Sequence, residues 1–288
     1  VVPDAFALRE ILFASDLSPA SDLAFDHARL LAQKFGARLV LFHTVQTLPT
    51  DRSAAGTAAR DRLERERRTA RSHLEMRAAA LDVDSEVVVE AAPDPAQALL
   101  RRLEGHRPDL LVMATHGRQG LAHLIVGSVA EAVLARRACP VLCIRPREHG
   151  VALPYRRLLL PTDLSHESRR AFPVAALLAA GFGAEVIALH VAQVPEPSSL
   201  ARVPDLVESR VPDEASLRTV LKPDLAGAKV APRIVAGEPW ERILETARTE
   251  NVDLIVISTH GHDSLADRVM GSHADRVVRQ APCPVLVV

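Results

Sequence analysis

Residues 10–46 read EILFASDLSPASDLAFDHARLLAQKFGARLVLFHTVQ. The stretch opens on a short apolar run, ILFA, passes a Ser/Asp/Pro cluster, continues with apolar residues at helical spacing and closes on a second apolar run, RLVLFHTV. Near-continuous apolar runs mark parallel strands covered on both faces, and a helix between two of them is a βαβ unit. The pattern returns at 157–194 as RLLLPTDLSHESRRAFPVAALLAAGFGAEVIALHVAQV, where Asp16 falls on Asp163 and His43 on His190 at one offset of 147 residues.

Outward from this stretch the alternation continues. SEVVVEA (85–91), DLLVMAT (109–115) and PVLCI (140–144) read as further strands, and DPAQALLRRLEGH (94–106) as a helix. Ser21 or Asp22 and Asp94 are the expected helix caps. The sum is an α/β fold, a doubly wound, Rossmann-like parallel sheet of five strands, whose functional loops gather at the C-terminal ends of the strands. RPDLLVMATHG recurs as NVDLIVISTHG and ACPVLCI as PCPVLVV, with Gly117 on Gly261 and Cys139 on Cys283 at an offset of 144. A period this long is a domain duplication, so the chain reads as a tandem repeat of two such domains, 1–148 and 149–288, joined within RPREHGVALPYRR (145–157). Residues 51–81 read as a long charged helix. Their proline-rich counterpart near 194–221 is expected to be shorter and broken.

The 288 residues, 48% hydrophobic and 25% charged, suit two ordinary domains. Lys plus Arg number 35 against 36 acidic residues, a net charge of −1, which argues against nucleic-acid or anionic-lipid partners. No apolar run is long enough to span a membrane. Three cysteines, behind a start (VVPDAFALREILFASD) that opens directly into a domain, favour a reducing cytoplasm over a disulfide framework.

Two loops carry the chemistry: MATHGRQGLAHLIVGS at 113–128 and ISTHGHDSLADRVMGS at 257–272. Each follows a strand, turns at Gly117 or Gly261, and reaches Gly127-Ser128 or Gly271-Ser272 at an expected helix start. Backbone N–H groups, a hydroxyl and the positive end of a helix dipole together suit a phosphate. Gly127 and Gly271 are expected where a Cβ would keep an oxygen from the backbone; the alternative is a turn requiring φ > 0. Asp16 and Asp163, at strand ends, suit the hydroxyl or amine of a nucleoside, the alternative being helix caps. No Gly-Lys dipeptide occurs, which excludes a Walker loop. GFGAEV (181–186) precedes a strand and so reads as a helix C-cap, not a dinucleotide fingerprint.

With these residues in view, the whole chain resembles a tandem universal stress protein, two UspA-type domains in one polypeptide. The family's nucleotide-binding members carry Gly-x2-Gly-x9-Gly-(Ser/Thr). Here the copies read Ala114-Thr-His-Gly117, nine residues, Gly127-Ser128, and Ser258-Thr-His-Gly261, nine residues, Gly271-Ser272. The first glycine is thus Ala114 or Ser258. The resemblance implies ATP, or ADP or AMP, as ligand, with Mg accompanying the phosphates left open. It implies an adenine and ribose pocket lined by Asp16 and Thr44, or Asp163 and Val191. It further implies a stress-response regulator whose occupancy is coupled to conformation or association. Alternatives are a slow ATPase or a nucleotide-free interaction scaffold. It implies that the two domains pair with each other through their last strands, and further association into a homodimer is compatible with the proline-rich segment near 195–213. Arg118 beside the phosphate path, against His262 and Asp263 in the second copy, predicts tighter binding of ATP by the first.

Other constellations read blandly. His116 and His260 are expected to brace their loops, and His260, His262 and His273 lack zinc spacing. Cys139 and Cys143 read as small buried hydrophobes, and Trp240 as local packing.

Overall fold

A computed structural model describes residues 6–47, 57–115, 126–145, 153–192, 213–259 and 271–288. The chain divides into two compact units, one running from Ala7 to Gly150 and the other containing Val151–Val288. In the first, β1 (Glu10–Ala14), α1 (Pro19–Phe35), β2 (Arg38–Gln46), α2 (Thr57–Ala79), β3 (Ser85–Ala92), α3 (Pro95–His106), β4 (Leu110–Ala114), α4 (Ser128–Arg136) and β5 (Val141–Ile144) alternate as the sequence predicts. The strands are parallel in the order β3-β2-β1-β4-β5. Ile11, Leu12 and Phe13 of β1 are fully buried, as expected for a central strand covered on both faces.

The second unit repeats the plan. It comprises β6 (Arg157–Pro161), α5 (Ala171–Phe182), β7 (Glu185–Ala192), α6 (Glu214–Leu221), β8 (Lys229–Ala236), α7 (Pro239–Thr249), β9 (Leu254–Ile257), α8 (Ser272–Gln280) and β10 (Val285–Val287), ordered β8-β7-β6-β9-β10. Among the described residues the counterpart of α2 is shorter, 8 residues against 23, and 193–212 of its segment lie outside them.

The caps refine the sequence reading. Asp94 caps α3, accepting from Ala96 N and Gln97 N at 2.8 and 3.3 Å. At α1, however, Ser18 is the cap, accepting from Ser21 N, so the helix starts before Ser21 and Asp22, with Pro19 in its first turn. In the second copy Pro173 has no N–H to give the carbonyl of Arg169, and a 3-10 turn over Ser168–Arg170 stands where α1 has its first turn. Gly183 caps α5 at φ 65°, confirming GFGAEV as a helix end. Cys143 and Cys283 are buried, Cys139 is half-buried, and none of the three forms a disulfide; burial pushes the Cys139 and Cys143 thiols up to about 12. Trp240 packs under Arg276, whose guanidinium carbon lies 5.1 Å from the ring centre.

One surface contact recurs with its charges exchanged. In the first unit Arg77, at the end of α2, pairs with Asp22 of α1 and lies 5.1 Å over Phe25. Residues 22 and 25 correspond to Arg169 and Phe172 at the offset of 147. There Arg169 lies 5.9 Å over Phe172 and pairs at 2.7 Å with Asp224, which follows α6. Each pair joins the first helical segment of its copy to the segment preceding the third strand. Asp22→Arg or Arg77→Asp alone should lower stability by about 1 kcal/mol, and the double reversal should restore most of it, as read from urea midpoints in a double-mutant cycle.

His27 of α1 is 3% exposed, and burial pushes its ring down to about 4. Because the unfolded ring takes its proton first, near pH 6.5, stability is fullest above that pH and falls as pH drops toward 4. The second copy has Val174 at this position. The expected loss is at most about 3 kcal/mol. His27→Leu should flatten the pH dependence of the urea midpoint between pH 4 and 6.5.

Candidate functional site

The strand order reverses direction at β1 and β4. From β1 the chain steps to β2 and β3 on one side, then returns to β4 and β5 on the other, leaving a crevice beyond the C-terminal ends of β1 and β4. Ala14 is in register with Met113, so the segments leaving the two strands emerge at the same sheet edge. They carry Asp16 on one side and the ends of the loop between β4 and α4 on the other. In the second unit β6 and β9 make the same reversal, with Asp163 and Ser258 just past their ends.

At the end of β1 a compact turn is held by its own polar side chains. Ser15 Oγ accepts from Leu17 N at 3.1 Å, and Asp16 Oδ1 accepts from Ser18 N at 3.0 Å and from Ser21 Oγ at 2.5 Å. These bonds hold Leu17 at φ 62°, a left-handed conformation that a leucine adopts only at a cost of about 1–2 kcal/mol. The second copy has the same turn: Thr162 Oγ1 accepts from Leu164 N at 2.9 Å, Asp163 Oδ1 accepts from Ser165 N at 2.9 Å, and Leu164 stands at φ 64°. Ser21 and Ser168 are equivalent positions with different partners. Ser21 Oγ donates to the aspartate, whereas Ser168 Oγ bonds Thr162 Oγ1 and the Ser165 carbonyl. Neither aspartate caps a helix side-on as the alternative reading has it; each carboxylate instead closes the turn before the helix.

Gly127 and Gly271 immediately precede α4 and α8, and Ser128 and Ser272 are the first residues of those helices. Gly127 N donates to Thr115 O at 2.7 Å and Gly271 N to Thr259 O at 2.9 Å, so the backbone just before each helix pairs with a residue one (Thr115) or two (Thr259) positions past the preceding strand. The glycine φ values are −63° and −56°, which excludes a left-handed turn as their reason. Close approach is the reason. A Cβ at 127 would lie 3.3 Å from Thr115 O, and one at 271 only 3.0 Å from Thr259 O. The oxygen being spared a Cβ contact is therefore the chain's own. Among the described residues neither helix has a side-chain cap, in contrast to α1 and α3, an arrangement whose first-turn amides suit an anion at the crevice. This donor set fits a phosphate. Ser128 and Ser272 are exposed, while Asp16 and Asp163 are half-buried.

Thr44 and Val191 are half-buried near the ends of β2 and β7, next to the histidines that face the aspartate turns. Ala114 is half-buried and Ser258 buried. Gly117, Arg118, Gly261, His116, His260, His262 and Asp263 lie outside the described residues. Among the described residues no group of three metal-ligating side chains gathers, and no helix is long and apolar enough to cross a membrane.

The model of the universal stress protein family matches residues 7–145 and again 154–288. The chain belongs to this family. A universal stress protein of Methanocaldococcus jannaschii is 34% identical over 141 residues, 46% of this chain and 82% of the relative. One from Mycolicibacterium smegmatis is 26% identical across 96% of both chains. The crystal structure of a universal stress protein from Archaeoglobus fulgidus superposes with a TM-score of 0.72 at 21% identity, covering 98% of each chain, a likeness of fold along the whole length.

Two features of this universal stress protein site were missed in the sequence. His43 Nδ1 lies 2.7 Å from Ser15 O, and His190 Nδ1 lies 3.0 Å from Thr162 O. The recurrence of histidine at the offset of 147 was the available signal, but only register shows what it meets. The left-handed leucines had no signal, since nothing in Asp-Leu-Ser demands φ > 0. Gly271→Ala should destabilise by about 1–2 kcal/mol, because the carbonyl it meets is backbone. Gly127→Ala should cost less, the looser contact being offset by about 0.4–1 kcal/mol of unfolded-state entropy. Urea midpoints of the two variants test the order.

Proposed function

We propose that the protein is an adenine-nucleotide-binding regulator of the universal stress protein family, with one site per copy and with occupancy coupled to conformation or self-association. The observation that carries this reading is the conjunction, at each strand-order reversal, of a turn-locked aspartate with an uncapped helix N-terminus behind a glycine closure. The two ends suit different parts of one ligand. Amides of the first turn of α4 or α8, with Ser128 or Ser272, suit phosphate oxygens. A carboxylate there would repel the anion, but Asp16 and Asp163 belong to the neighbouring strand, where a ribose hydroxyl or adenine amine can donate to them. Thr44 and Val191 are the corresponding walls for the base. ATP, ADP or AMP all meet this description, and Mg would accompany the phosphates of the first two. Binding rather than flux is the signal, so hydrolysis is expected to be far slower than the ~10 per second of a median enzyme.

ATP should bind with a Kd on the order of micromolar. Gly127→Val should abolish binding in the first copy and Gly271→Val in the second, and the intact first site, with Arg118, should be about ten- to thirtyfold tighter than the intact second, with Asp263. Calorimetric titration checks this, with adenosine as the comparison that should shrink the difference. Equal affinity of the unmutated chain and a variant carrying both substitutions would overturn the site.

A further inference from the structure

We propose that His43 and His190 are positioning residues of the two sites, each clamping the carbonyl that precedes the pocket aspartate and so holding the turn that aims it. The inference rests on the nucleotide-site reading above and assigns the part played by residues outside the phosphate loop.

The geometry is the same in both copies. A backbone rung ties Ser15 N to Phe42 O at 2.9 Å, and the carbonyl of the same Ser15 takes His43 Nδ1 at 2.7 Å. In the second unit Thr162 N bonds Leu189 O at 2.8 Å, and Thr162 O takes His190 Nδ1 at 3.0 Å. A carbonyl only accepts, so Nδ1 carries the proton in each ring. The side chain thus holds the carbonyl at the point where β1 or β6 ends and the backbone turns left-handed at Leu17 or Leu164. Asp16 and Asp163 lie between the clamped carbonyl and the strained leucine. The residue after each histidine is Thr44 or Val191, so one dipeptide braces the aspartate turn and supplies the wall beside it. The first clamp is the more enclosed: His43 is buried and His190 half-buried.

The test exploits the different reach of two amides. An asparagine at 43 and 190 places an N–H close to the position of Nδ1, whereas a glutamine places it near Nε2 and misses the carbonyl. His43→Gln with His190→Gln should weaken ATP binding about tenfold, the worth of one buried hydrogen bond, while His43→Asn with His190→Asn should stay within about twofold of the unmutated chain. Asp16→Ala with Asp163→Ala supplies the second axis of a cycle. If the histidines act through the aspartates, the glutamine substitutions should cost less than about twofold further in that background. Equal affinities for the asparagine and glutamine variants, or full additivity with the alanine substitutions, would overturn the positioning role while leaving the site intact. Should the unmutated chain bind no ATP, the site reading fails and the positioning role fails with it. Long-range nitrogen-proton NMR of the free protein adds a readout independent of ligand: both rings should show a protonated Nδ1, and a protonated Nε2 alone would also overturn the clamp.

Discussion

A strand covered on both faces has no side chain to spare for chemistry, and the rest of this molecule follows from that constraint. Ile11, Leu12 and Phe13 are wholly enclosed, as are Leu158, Leu159 and Leu160 in the second copy. Polar function can begin only where the apolar run stops. In both copies it begins at once: a hydroxyl residue, an aspartate, a left-handed leucine and a serine follow the strand; the first two side chains bond back into the turn, and the serine hydroxyl accepts from the backbone N–H three residues on. The crevice is polar because the sheet beside it cannot be.

How much of this was legible depends on the range of the interaction. The strands, helices and duplication are written in period and recur in order, so Glu10–Ala14 and Arg157–Pro161 could be read directly. The helix starts at Ser128 and Ser272 follow from glycine and local composition. The true cap of α1 lies three or four residues before the expected one because Ser18, Ser21 and Asp22 are all competent caps, and the choice falls to Pro19, whose fixed φ suits a first turn. The histidine clamps were illegible because they join residues 28 apart through a strand register that only the folded sheet defines. The reason for Gly127 was half legible: closeness was foreseen, but the oxygen it spares is the backbone carbonyl of Thr115.

The two copies keep the turn and vary what surrounds it. Ser21 supports the aspartate directly, while Ser168 supports the residues on either side of it. His27 is buried in one core and valine serves in the other. Such differences leave the framework of the crevice in place and change the conditions under which each copy is held rigid.

The exchanged charges of Asp22–Arg77 and Arg169–Asp224 bear on how a chain containing two like halves sorts itself out. During folding, the first helix of either half meets two similar docking faces, its own and its sibling's. Were the halves to trade these segments, Asp22 would face Asp224 and Arg77 would face Arg169, each beside an equivalent phenylalanine, Phe25 or Phe172. The correct match gains an attraction and the wrong one incurs a repulsion, so the discrimination is twice what either pair supplies alone. The polarity is a key cut differently for two locks of one make.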